Sequence, residues 1–165
     1  PLIQKEFARI MSLKDGTKKM SKSDSSDLSR INLNDGKDSM INKIRKAKTD
    51  NLPMPGNEDD LEKRPEVSNL LGIYSCLSNQ SIEKIKSEFE GKNFSLFKEN
   101  LSDLLVEKIE PIGRKINDLL KDHKHLDEIL NKGAEKANKQ ASKKIKELKS
   151  LVGFWYFCNF YFNFI

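Results

Sequence analysis

The sequence has few of the side chains that build metal sites and disulfide frameworks. Its two cysteines, Cys76 and Cys158, are far apart and do not form a Cys-x-x-Cys spacing, which predicts neither a zinc site nor a disulfide framework. Its two histidines, His123 and His125, would point to different sides of a helix. We therefore predict no metal site and a reducing compartment.

Signatures of several enzyme classes are also missing. The Gly16–Lys19 segment lacks the GxxxxGK[ST] spacing of a Walker phosphate-binding loop. No Ser/His/Asp set and no pair of carboxylates is arranged as in a hydrolase, and no stretch has the pattern of a βαβ unit. The absence of these motifs argues against a P-loop NTPase and against a hydrolase.

Long hydrophobic runs are limited to the last residues. The segment 153–165, GFWYFCNFYFNFI, is aromatic and uncharged, and with Leu151 and Val152 it forms about 15 mostly apolar positions, fewer than the roughly 20 of a membrane span. We interpret 153–165 as an aberrant aromatic tail, with a membrane anchor as the alternative, and expect a soluble protein with no membrane partner.

Charge is abundant but unevenly distributed. Charged residues form 33% of the chain, which has a net charge of +5. The net charge is positive over residues 1–50, negative over 51–131 and positive again over 132–165. Two basic ends predict contacts with a polyanion, although solvated helix faces are an equally good interpretation of the second basic block.

Most of the chain beyond residue 34 has a helical pattern. Asp35 is positioned to cap a first helix, and Pro65 and Ser81 are positioned to begin the next two. Two longer apolar stripes follow, over 94–119 and 126–148, and we expect both to lie in a core. Pro111 is predicted to kink the first of these long helices without ending it.

A lysine-rich loop precedes this helical region. Ala8–Met11 is short and mainly apolar, as in a strand, and the polar sequence TKKMSKSD follows at 17–24. Lys19–Ser23 spells KMSKS, the ATP-loop motif of class I aminoacyl-tRNA synthetases.

The surrounding sequence resembles one family of those enzymes, the tryptophanyl-tRNA synthetases of the bacterial and mitochondrial type. The resemblance rests on ARIMSLKDGTKKMSKSD at 8–24, IRKAKTD at 44–50, SNLLGIYSCLSNQSIE at 68–83 and GAEKANKQAS at 133–142. It extends in the same order to about Val152. The related tyrosyl enzymes match the SNLL and GAEKAN segments less well.

The resemblance implies a two-step reaction. The carboxylate of tryptophan attacks the α-phosphate of ATP, and the resulting adenylate then acylates the tRNA. Lysines on a mobile loop would stabilise the charge on the departing pyrophosphate, together with Mg²⁺ that accompanies ATP. By this resemblance Lys19 and Lys22 are the catalytic lysines, and ATP is bound by Ile10, Lys19, Met20, Ser21, Lys22 and Ser23.

The resemblance also implies an organisation and partners. We expect residues 1–34 to be a strand-and-loop remnant of a Rossmann-type catalytic domain, and 35–152 to be a helical bundle that meets the anticodon region of tRNA(Trp). Expected tRNA contacts are Lys132, Lys136, Lys139 and Lys143. The overall prediction is a mainly α fold.

The chain begins with Pro1 and contains no HIGH-type motif, so we expect it to be the C-terminal portion of a longer cytoplasmic enzyme. We expect that enzyme to be a homodimer and the chain alone to be inactive. The alternative is a helical nucleic-acid-binding module without enzymatic activity, in which the lysine loop merely contacts phosphates.

Overall fold

The computed structural model describes residues 8–57 and 61–153. Five α-helices occur in these ranges: α1 (Lys37–Arg45), α2 (Pro65–Ser78), α3 (Ile82–Phe89), α4 (Phe94–Lys121) and α5 (His123–Leu151). Two 3₁₀ turns, at Asp27–Ser29 and Leu61–Lys63, precede α1 and α2. The prediction of a mainly α fold is therefore confirmed. Within the described ranges, no helix is long and apolar enough to cross a membrane.

The chain divides into two compact units, Pro1–Asn117 and Asp118–Ile165. The expected catalytic remnant and the first part of the expected helical bundle fall together in the first unit. The division at residues 34 and 35 remains a prediction, as does the nature of the aromatic tail, which apart from Gly153 lies outside the described residues.

The core of the first unit is formed by apolar side chains from α1 to α4 and from the segment before α1. Tyr74, Phe89 and Phe97 meet in it, with ring centroids 5.2–5.8 Å apart. The buried apolar residues are Leu13, Ile44, Ala47, Met54, Val67, Leu70, Leu71, Ile73, Ile85, Phe89, Phe97, Leu101 and Leu105. This core fixes the N-terminal segment against α2 and α4.

Helix ends follow local sequence signals in most places. Pro65 occupies the first turn of α2, and the Ser81 side chain accepts a hydrogen bond from the Lys84 amide at the start of α3, as predicted. The α4 helix continues through Pro111, so the prediction that this proline does not end the helix is confirmed.

Asp35 does not cap α1, and that prediction was wrong. The N-cap residue is Gly36, which has no side chain to cap with. The Asp35 carboxylate instead accepts a hydrogen bond from the Asn32 amide at 2.8 Å and pairs with Lys43 at 2.6 Å. A buried cation is a stronger partner for a carboxylate than a helix-end amide, because a charge-assisted hydrogen bond satisfies both desolvated groups.

The predicted strand at Ala8–Met11 is also absent from the described residues, where the only β-structure is an isolated antiparallel bridge between Met11 and Lys19. Two backbone hydrogen bonds, Ser12 to Lys18 and Met20 to Ile10, flank this bridge, and the outer edge of Met11 is bonded by the Asn69 side chain.

The apolar stripe of α5 is exposed, contrary to the prediction that it is core. No residue of α5 is buried, and Ile129, Leu130, Ile145 and Leu148 are 49–67% exposed. The helical period was predicted correctly, but a period does not show whether a partner covers the stripe.

Candidate nucleotide-binding site

The lysine motif begins on one arm of a short hairpin formed by residues 10–20. The Ser12 amide donates to the Lys18 carbonyl at 2.8 Å, and the Met20 amide donates to the Ile10 carbonyl at 3.0 Å. These two bonds flank the Met11–Lys19 bridge. Ile10 and Met20 therefore face each other across the hairpin. Lys19 precedes Met20 in the chain and faces Met11.

The turn of this hairpin is closed by Asp15. Its carboxylate accepts from the Thr17 hydroxyl at 2.6 Å and the Thr17 amide at 3.1 Å, and it pairs with the Lys18 ammonium at 3.3 Å. The Thr17 bonds and the nearby Lys18 lower the pKa of Asp15 to about 2, because each stabilises the ionised carboxylate.

The three lysines of the loop are therefore not equivalent. Lys18 is paired with Asp15. Lys19 and Lys22 are exposed and form no ion pair with any residue in the described ranges. Only these two ammonium groups are available to an external anion without breaking an existing pair.

Both unpaired lysines line a cleft of about 680 Å³. The hairpin forms one wall, with Ile10 and the stretch from Lys19 to Lys22, and residues 30–34 form the other. Ala8, Arg9 and, from α4, Ile116 complete the lining. The cleft thus combines apolar walls with cationic groups at one edge, which suits a ligand with a flat apolar part and an anionic part.

The structure brings together most of the predicted ATP-binding residues. Ile10, Lys19, Met20, Ser21 and Lys22 all line the cleft. Ser23 does not line it; its hydroxyl is 2.9 Å from that of Ser21. Ser23 is therefore positioned to hold the loop.

The second wall of the cleft rests on a buried cation of α1. Lys43 is only 2% exposed and pairs with Asp27 at 2.7 Å and Asp35 at 2.6 Å. The hydrogen bond from Lys43 lowers the pKa of Asp27. The ends of the segment from Asp27 to Asp35 are thus tied to α1, and the cleft-lining residues lie between them.

Helix α4 approaches this wall through a glycine. A Cβ added at Gly113 would be 2.7 Å from the Leu33 carbonyl oxygen. Only glycine allows the helix backbone to come so close to the cleft wall without displacing it.

The hairpin is attached to α2 by Asn69, which is 8% exposed. The side-chain carbonyl of Asn69 accepts from the Met11 amide at 2.9 Å, and its amide donates to the Met11 carbonyl at 2.9 Å. Nearby, a Cβ at Gly16 would be 2.5 Å from the Glu66 nitrogen. Sequence reasoning missed this attachment, for which the only signal was a polar Asn within the otherwise apolar SNLL stretch.

The predicted tRNA-contacting lysines lie on α5 and are not among the residues that line the cleft. Lys132, Lys136, Lys139 and Lys143 are all exposed, and their spacings of three and four place them on one side of the helix. None of the four forms an ion pair within the described ranges, whereas Lys144 pairs with Glu147 at 2.8 Å. Their role in binding RNA stays a prediction.

Comparison with known proteins identifies a family. A family model described as tRNA synthetases class I (W and Y) matches residues 2–109. Tryptophan–tRNA ligases of Rhizobium meliloti and Rickettsia felis are 49% and 50% identical, over 93% of this chain. The alignments cover 44% and 46% of those relatives, so the chain spans less than half of their length.

Solved structures agree with this result. The tryptophanyl-tRNA synthetase of Mycoplasma pneumoniae is 26% identical with a TM-score of 0.74, over 91% of this chain and 46% of that one. A Campylobacter jejuni tryptophanyl-tRNA synthetase, complexed with ADP and tryptophan, is 25% identical with a TM-score of 0.68, over 91% of this chain and 45% of that one. The relatives compared above are tryptophan–tRNA ligases. The chain therefore belongs to the class I tRNA synthetases of the tryptophan and tyrosine family.

Proposed function

We propose that this chain supplies the ATP-binding loop and the helical region of a tryptophan–tRNA ligase. The observation that supports the proposal best is the pairing pattern of the loop lysines. Lys18 is paired with Asp15, while Lys19 and Lys22 are unpaired at the edge of a cleft of suitable size for a nucleotide. The relatives' names and the Campylobacter complex with ADP and tryptophan support the same substrates.

In the first step a carboxylate oxygen of tryptophan bonds to the α-phosphorus of ATP, and the bond to the pyrophosphate oxygen breaks. Negative charge then accumulates on the departing pyrophosphate. Lys19 and Lys22 are placed to stabilise that charge more in the transition state than in the ground state. Mg²⁺ enters with ATP as part of the substrate and shares this task.

We propose that the adenine ring occupies the apolar part of the cleft, which is lined by Ile10 and Met20 on one side and Ile31 on the other. In the second step the terminal ribose hydroxyl of the tRNA attacks the aminoacyl carbonyl, and AMP leaves. The four lysines of α5 are proposed to contact the tRNA backbone. A homodimeric enzyme in the bacterial cytoplasm is part of the same proposal.

Exchange of labelled pyrophosphate into ATP tests the proposal. The assay needs a joined ligase, in which the part of the Rhizobium meliloti relative outside the aligned region is connected to this chain. We expect tryptophan-dependent exchange from the joined ligase. Tight binding of tRNA by the chain without exchange by the joined ligase would instead support a nucleic-acid-binding module.

A further inference from the structure

We propose that Asn69 is a positioning residue for the nucleotide site: it holds the hairpin that presents Ile10 and Lys19 in register with the cleft. The inference rests on the proposed function for its kinetic consequence. Its structural content, that one side chain of α2 fixes the hairpin, stands on the hydrogen bonds alone.

Asn69 replaces a neighbouring strand at the free edge of the hairpin. A strand would bond to Met11 through one donor and one acceptor, and the Asn69 amide supplies both at 2.9 Å. With Lys19 opposite, Met11 is thus held from both edges. Among uncharged side chains of this length only an amide offers an adjacent donor and acceptor that match a peptide group.

Burial makes this pair of bonds decisive. Asn69 is 8% exposed, and its two bonds to Met11 are part-buried beside a cleft of about 250 Å³ that both residues line. A peptide group left unpaired there is unfavourable unless it finds water. When the Asn69 side chain cannot pair, we expect the Met11 peptide groups to turn towards the water of that cleft and the hairpin to shift with them.

Such a shift reaches the site directly. The Ile10 carbonyl accepts the bond from Met20, and Met11 is bridged to Lys19. A displacement of Met11 therefore moves the Ile10 and Met20 sides of the cleft together with Lys19. Misplacement of a catalytic group by about 1 Å lowers rates by as much as about 10²-fold.

The substitution Asn69→Asp provides a reversible test. Its carboxylate presents two acceptors, so it repels the Met11 carbonyl. Its protonated form presents one donor and one acceptor, as the amide does. Burial and the facing Met11 carbonyl raise the pKa of the introduced carboxyl. Arg9 and Glu62 are the titratable residues that line the adjacent cleft, and their opposite charges act on this pKa in opposite directions. Lowering the pH should therefore restore the bonds.

In the joined ligase, we expect Asn69→Asp at pH 8 to reduce the rate of adenylate formation by about 10- to 100-fold, while the KM for tryptophan changes less than twofold. The rate relative to the unsubstituted enzyme should recover at pH 6. Asn69→Leu should be slow at both pH values. Asn100→Asp is the matched control, because Asn100 is exposed and bonds only within α4; it should be unchanged. Rates equal to the unsubstituted enzyme for both Asn69 variants, or equal recovery of Asn69→Leu at pH 6, would overturn the proposal.

Amide hydrogen exchange on the 165-residue chain separates this inference from the proposed function. We expect Asn69→Asp at pH 8 to speed exchange in residues 10–20 and to leave α3 and α4 protected. Protection lost throughout the first unit would show a general structural role and reject the inference. If the unsubstituted joined ligase shows no activity, the proposed function fails, and this exchange pattern alone decides whether Asn69 fixes the hairpin.

Discussion

At the scale of single residues, the loop separates lysines that look alike in sequence. Lys18, Lys19 and Lys22 share one polar segment, but only Lys18 has a carboxylate partner, at 3.3 Å. An ammonium group that is already paired gains less from a phosphate than one that is not. The structure thus distinguishes a paired lysine from two unpaired ones within the same loop.

Replacing Lys22 by alanine in the joined ligase should slow adenylate formation by about 10²–10³-fold, or about 3–4 kcal/mol, because one preorganised electrostatic partner of the leaving group is removed. Lys19→Ala should act in the same direction with a smaller effect. Single-turnover adenylate formation measures the rate, and equilibrium binding should show little change in the affinity for tryptophan.

The control is Lys18→Ala, which removes the same charge from the same loop but leaves the cleft lysines in place. It should slow the reaction much less than Lys22→Ala. Similar losses for Lys18→Ala and Lys22→Ala would mean that the loop acts only through its net charge.

Asp15 predicts a pH dependence of stability. Its pKa in the folded chain, about 2, lies below the ordinary value of 3.8, so its contribution is fully present above pH 3.8 and is lost as the pH falls towards 2. Asp15→Asn should therefore lower the thermal midpoint at pH 6, and the difference should shrink between pH 4 and pH 2.5. Asp118→Asn, at an exposed pair with Lys121, is the control and should have little effect at any of these pH values. Circular dichroism measures the midpoints, and a constant difference for Asp15→Asn would contradict the prediction.

At the scale of elements, local sequence signals predicted where helices begin better than they predicted which distant residues contact one another. Pro65 and Ser81 set helix starts through backbone geometry and a nearby hydrogen bond, so a few adjacent residues were enough to predict them. Asp35 was assigned to a cap because nothing in its neighbourhood points to Lys43, eight residues away. The attachment of Met11 to Asn69 spans 58 residues, and no local pattern reports a contact of that separation.

The same limit applies to the candidate site. The motif predicts six ATP-binding residues, and five of them line one cleft; their contact with ATP stays a prediction. It did not predict the wall at residues 30–34 or its support by Lys43, because a lysine on an amphipathic helix is usually a solvated residue.

Two helix-interior glycines provide a test of close packing. Gly133→Ala in α5 meets no atom within 4 Å and should stabilise that helix by about 0.5–1 kcal/mol through helix propensity. Gly113→Ala in α4 would place its Cβ 2.7 Å from the Leu33 carbonyl oxygen, so it should destabilise the first unit despite the same intrinsic gain. Amide hydrogen exchange of α4 and α5 peptides would measure both effects. Equal stabilisation by the two substitutions would show that α4 does not press on the cleft wall.

The lysine row on α5 predicts a salt dependence. If Lys132, Lys136, Lys139 and Lys143 each contact one tRNA phosphate, replacing all four by glutamine should reduce the slope of log K against log salt by about 4. Lys144→Gln, at a residue already paired with Glu147, should reduce it less than any single substitution in the row. Fluorescence titrations of tRNA at several salt concentrations would measure the slopes. An unchanged slope would leave the row as a solvated face.

At the scale of the whole molecule, the matched length sets an expectation for activity. The chain covers 44% of the Rhizobium meliloti relative, so more than half of the length of that ligase has no counterpart in it. We therefore expect the purified 165-residue chain to show no tryptophan-dependent pyrophosphate exchange under conditions in which the joined ligase is active. Exchange above the background of a Lys22→Ala chain would contradict this expectation.

The contact between Met11 and Asn69 also constrains when the site forms during synthesis. The hairpin leaves the ribosome before α2, because Asn69, which completes its outer edge, is made 58 residues after Met11. Helices form from neighbouring residues, whereas this contact requires a long segment to close first. The hairpin contains the first cleft residues to be translated, and we expect it to reach its final position late. Until α2 emerges, Lys19 and Lys22 are held only by the contacts of the hairpin itself.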